Sequence, residues 1–149
     1  MPGAWSVDLA TATPTSGALT ALTNGDTYQG VATVTDLAGN AASDGTSDEL
    51  VIDTTLPTAP TVTSQTTNNL TPVIAGTATL LAGETLTVTV SDATYTILVT
   101  GAWSVDLATA TPTSGALTAL TNGNTYQVVA TVTDLAGNAA SDGTSNELV

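Results

Sequence analysis

Acidic side chains supply almost all the reactive chemistry in this chain. They crowd most closely in "DELVIDTTLPTAP", residues 48–60, where Asp48, Glu49 and Asp53 stand beside a proline-stiffened stretch. The 149 residues include 13 Asp and Glu but no Lys, Arg, His or Cys, giving a net charge of -13. No side-chain salt bridge can form, so each carboxylate must be solvated, hydrogen-bonded or bound to a cation. Carboxylates and carbonyls without nitrogen or sulfur donors suit a hard cation. Calcium fits best, because it accepts roughly six to eight oxygens in irregular geometry, whereas magnesium demands a stricter octahedron.

The same composition excludes other chemistry. Without His, Lys or Cys the usual general bases, nucleophile partners and Schiff-base amines are missing. A pair of carboxylates could formally hydrolyse a glycoside, but that needs a cleft with sugar-stacking aromatics. Only two Trp and three Tyr are present, and the Trp positions fit a core alternation. An enzyme is not expected. Uniform negative charge repels nucleic acid phosphates and anionic membranes. No apolar run approaches the ~20 residues of a membrane span. The start "MPGAWSV" has neither a basic nor an apolar signal-peptide region.

The elements that must position the acids are organised by a repeat. Residues 3–51 recur at 101–149, an offset of 98, and differ only at Asp26/Asn124, Gly30/Val128 and Asp48/Asn146. Such near-identity argues for a tandem array, of which this chain is read as an excerpt. The expected organisation is residues 1–51 as the closing half of a truncated repeat and 52–149 as one complete repeat, with 52–60 as linker. Residues 1–51 should then expose an apolar face or self-associate.

Strand signals fill both copies. "ETLTVTV" alternates Leu86, Val88 and Val90 with Thr, and "TYTILVT" puts Tyr95, Ile97 and Val99 on one face. "GAWSVDL" turns Trp103, Val105 and Leu107 inward, and "TYQVVATVT" does so with Tyr126, Val128, Ala130 and Val132. Turn signals such as "LAGE", "SDAT" and "LAGN" separate them, and no helical period appears. The pattern predicts strands over 60–66, 72–79, 84–90, 94–99, 102–107, 124–133 and 138–149. Seven short strands in about a hundred residues predict an all-β immunoglobulin-like β-sandwich, with Tyr126 placed like a tyrosine corner.

That topology makes a statement about the acids. Alternating strand directions bring Asp53, the turn holding Asp134 and Asn138, and Glu84 to one end of the sandwich. The preceding repeat would add Glu49, Asp48 and Asp26, while Asp36 occupies the Asp134 position of the half repeat. A shared calcium ion at this junction is the expectation. Two competing readings stand beside it. "DLAGN" can form an Asx-turn with Gly137 at positive φ, and Asp44, Asp92 and Asp142 can be turn or bulge formers. Asp8 and Asp106 are read as simply solvated.

In their order and spacing, "VIDTTLPTAPTV", "TPVIAGTA", "GAWSVDL", "NGNTY" and "VTDLAGN" resemble the bacterial Ig-like (BIg-type) extender repeats of giant RTX adhesins. The resemblance implies a type I-secreted protein at the bacterial cell surface. Its tandem domains would act in adhesion and biofilm formation by holding a distal binding domain away from the cell. It also implies calcium stiffening of the linkers through Asp53, Asp134 and Asp36, with neighbouring repeats of the same chain as partners. Rival readings are an Ig-like module that binds carbohydrate or protein, and a decoration domain of a phage or surface-layer protein.

Overall fold

Period-two patterning decides which side chains are interior. Leu86, Val88 and Val90 are fully buried, while the Thr residues between them are half-buried. The computed structural model describes residues 3–149, and these hold strands and turns without a helix. Two units divide the chain, one running to Ile52 and the other Asp53–Val149.

The first unit holds four short strands: β1 (Thr27–Tyr28), β2 (Thr33–Thr35), β3 (Ala41–Ser43) and β4 (Leu50–Val51). β1 pairs antiparallel with β4, and β2 with β3. Nearly all its apolar side chains are exposed, Trp5, Val7 and Val34 among them.

The second unit contains β5 (Thr61–Val62), β6 (Val73–Ala78), β7 (Thr85–Val90), β8 (Ala93–Ile97), β9 (Gly101–Asp106), β10 (Ser114–Gly115), β11 (Val128–Thr133) and β12 (Ala139–Ser141). They form a three-stranded sheet, β5-β6-β9, and a five-stranded sheet, β10-β8-β7-β11-β12, all antiparallel. Ile74, Trp103 and Val105 from the first sheet share one buried cluster with Leu86, Val88 and Val132 from the second. This all-β arrangement is consistent with a β-sandwich. Gly76 is required where the sheet packs closely. A Cβ there would collide with the Thr61 carbonyl oxygen and come within 2.5 Å of the Trp103 ring.

Strand ends depart from the sequence pattern. The 124–133 segment forms a regular strand only from Val128, with Tyr126 bridging Leu148 alone. The 138–149 segment ladders only over Ala139–Ser141. Two carboxylates explain the interruption. The Ala130 N–H donates to Asp142 Oδ1 at 2.7 Å and the Val128 N–H to Glu147 Oε2 at 3.0 Å. Side chains thus take the donors that a continuing strand would have paired. The 60–66 segment likewise shortens to Thr61–Val62, with Gln65 bridging Leu148. β8 ends at Ile97, leaving Val99 exposed rather than on the inward face. β10, built from small residues, has no apolar alternation to announce it.

Candidate cation site at the Asp53 end

Turn chemistry builds this end of the second unit. Gly83 (φ 87°) and Gly137 (φ 91°) take the left-handed conformation that the "LAGE" and "LAGN" turns require. The two turns touch: the Leu135 side chain lies so near Gly83 that a Cβ there would come within 2.6 Å of it. Glu84 braces its own turn by accepting the Leu81 N–H at 2.8 Å. Asp134 Oδ1 accepts the Asn138 N–H and Oδ2 the Asn138 side-chain amide, both at 2.8 Å. That amide also donates to the Asp53 carbonyl at 3.0 Å, tying the start of the unit to the turn. Asp53 Oδ1 accepts the Thr55 N–H at 2.9 Å.

Asp53, Glu84 and Asp134 therefore line one cleft of about 260 Å³, together with Leu56, Pro57 and Leu81. Their proximity is the one expected from alternating strand direction. The Asx-turn geometry read for "DLAGN" is also present, and the Asn138 amide holds the Asp134 carboxyl below the ordinary aspartate range. The donor set is all oxygen, which suits a hard cation in kind. Among the described residues, however, no three acidic side chains converge closely enough to hold a metal by themselves. A cation here would need main-chain carbonyls or water to complete its shell.

Asp36 and Glu49 lie in the first unit, where each has a local partner. Asp36 accepts the Ala38 N–H and both Asn40 donors. The Asn40 side chain is the main cause that lowers its pKa. Glu49 Oε2 accepts the Gly30 N–H at 3.0 Å. A Thr46 hydroxyl and that N–H hold its carboxyl low. Asp106 is more than a solvated strand residue. It accepts the Ala108 N–H and the Thr109 hydroxyl, closing the turn after β9, and Asp8 does the same for Ala10 and Thr11.

In sequence Glu147 is only the copy of Glu49, yet it is the one buried acidic residue, 1% exposed, among the described residues. Its Oε1 has no hydrogen-bond partner while Oε2 holds the Val128 N–H. Nothing local to "NELV" marks this Glu for burial, because the Val128 N–H that it holds lies 19 residues away in sequence. No family model, curated protein or solved structure matches the chain.

Proposed function

We propose that the chain is a stretch of tandem immunoglobulin-like extender repeats from a bacterial cell-surface adhesin of the RTX class, exported by type I secretion. Its role is structural: each domain adds reach, and calcium stiffens the joint between neighbours so that a distal domain meets its ligand. The observation that carries this reading is the duplication itself, since a segment repeated with three changes in forty-nine positions serves an array better than a unique binding surface.

Further support comes from the sheet order and the tyrosine. The three-plus-five partition over a shared core resembles an immunoglobulin-like sandwich whose fourth strand pairs with the third. The Tyr126 hydroxyl accepts the Thr121 N–H at 2.8 Å, a bond back to upstream main chain of the tyrosine-corner kind. Calcium is assigned to the cleft of Asp53, Glu84 and Asp134, with Asn138 holding the linker in place.

Calorimetric titration of the full chain with calcium, followed by melting curves, tests the joint. Millimolar calcium should raise the melting temperature of the Asp53–Val149 unit by several degrees, and magnesium should do much less. Asp53→Ala should abolish the shift and leave the unit folded. Absence of both binding heat and melting shift would remove calcium from the reading. The spacer role is tested separately by small-angle scattering on chains with added copies of residues 53–149. Their maximum dimension should grow linearly with copy number.

A further inference from the structure

A buried carboxylate in a chain without basic side chains has no charge to answer it. Glu147 is buried, and its Oε1 is shielded from water with no hydrogen-bond partner. The other oxygen, Oε2, takes the Val128 N–H at 3.0 Å. No Lys, Arg or His exists to supply the missing positive charge. Buried charges in proteins are paired or bind a metal, because desolvating an isolated carboxylate costs far more than one main-chain bond returns.

A second carboxylate stands beside it. Val128 and Ala130 are two residues apart in β11, so their N–H groups leave the same edge of the strand about 6.6 Å apart. Glu147 occupies the first, and Asp142 Oδ1 the second at 2.7 Å. Asp142 Oδ2 takes the Thr144 hydroxyl at 3.0 Å. Gln127 fixes the loop between the two acids. Its side-chain amide donates to the Thr144 carbonyl and its side-chain oxygen accepts the Asn146 N–H, both at 3.2 Å. The first unit repeats the arrangement, with Asp44 on the Ala32 N–H and Glu49 on the Gly30 N–H. There the Thr46 hydroxyl donates to Asp44 Oδ2 at 2.9 Å and is also the largest cause that holds the Glu49 carboxyl low, while the Asp44 charge opposes it. One hydroxyl thus serves both carboxylates. Only in the second unit is the glutamate buried.

We infer that Asp142 and Glu147 hold a hard divalent cation of the calcium type against the edge of β11. Glu147 Oε1 supplies the buried ligand and Asp142 a second carboxylate oxygen. The Thr144 hydroxyl, loop carbonyls and water complete the shell. Donors that are all oxygen but differ in kind suit calcium, whereas magnesium demands a stricter octahedron. The pair shares no side chain with the Asp53 cleft, and the inference does not rest on the spacer reading. The cation's role lies inside the unit: it neutralises the buried charge and ties the 142–147 loop to β11.

The test uses the full chain carrying Asp53→Ala, so that failure here and failure of the calcium joint are read apart. Added calcium chloride should move the Val128 and Ala130 amide resonances along one saturable curve with its half-point below about 1 mM. It should also raise the melting temperature of the Asp53–Val149 unit. Magnesium chloride should need at least about tenfold more to do the same. Glu147→Gln keeps an oxygen for the Val128 N–H but removes the charge, and should weaken calcium binding at least about tenfold. Asp142→Asn makes the matching change at a half-buried position, and decides the question if Glu147→Gln does not fold. No saturable movement of either amide at about 10 mM calcium would overturn the inference. So would an undiminished response in the folded variants, because the cation would then sit elsewhere.

Discussion

Residues 3–51 and 101–149 are nearly the same sequence in two settings, and the contrast separates local from tertiary determinants. Local bonds repeat almost bond for bond. Asp8 and Asp106 close the same turn, Asp36 and Asp134 hold Asn40 and Asn138, and Tyr28 and Tyr126 accept upstream N–H groups at 2.8 Å. Thr33 with Ser43 and Thr131 with Ser141 meet at 2.8 Å in both. Asp48 and Asn146 share the left-handed conformation, φ 65° and 62°. What does not repeat is strand length and burial. β11 runs six residues and β2 only three, and residues 3–8 form no strand where β9 does. A turn is closed by residues near in sequence, but a long strand needs a partner from farther away: β9 pairs with β6 and β11 with β7, whereas β1 to β4 pair only with one another among the described residues.

Substitutions at matched positions can break this contrast. The largest effect is expected from Val132→Asp, which places an unpaired charge in the shared core and should cost more than about 4 kcal/mol. Val34→Asp should leave the denaturation curve of the complete unit unchanged. Trp103→Ala should cost about 3–5 kcal/mol, against no measurable change for Trp5→Ala in the same chemical denaturation experiment. If the two Trp variants weaken the protein equally, the first unit is closed in solution and the contrast fails.

Glu147→Ala orphans the buried Val128 N–H and should cost about 1–3 kcal/mol. The matching Glu49→Ala, which frees an exposed Gly30 N–H, should be silent in thermal melts. The smallest difference is expected for Asp134 and Asp36. Both carboxyls are held below the ordinary aspartate value of 3.8 by the Asn four residues on. A depressed folded-state value means that each bond contributes fully above pH 3.8 and is lost as pH falls through the lower folded value. Carboxyl NMR titrations should give both midpoints below 3.8 and close together. Widely separated midpoints would show that the tertiary setting, and not the local turn, controls this pair.

Much of the complete unit is legible without its structure. Alternation identifies Leu86, Val88, Val90, Trp103, Val105 and Val132 as interior, because a pleated strand faces two environments with period two. It fails where side chains replace main-chain partners. Asp142 and Glu147 end the ladder of β12 by capturing N–H groups of β11; Asp142 reads as a turn or bulge former, but Glu147 carries no such signal. β10 escapes the pattern because Ser114 and Gly115 pair with Thr94 and Ala93 through main chain alone. At the Asp53 end, topology puts three acids in one cleft. The tie between Asn138 and the Asp53 carbonyl depends on loop conformation and has no signature in the sequence.

By itself the sequence determined the strand alternation, the glycine and Asx turns, and an all-acid surface that no internal cation can neutralise. These depend on residues within a few positions of one another, so both copies carry them. Only the tertiary structure decided which copy became core. Burial of Trp103 and exposure of Trp5 are set by whether strands from residues 53–100 lie across the face. Apolar side chains leave water only when another surface arrives to replace it, and no local pattern supplies that surface.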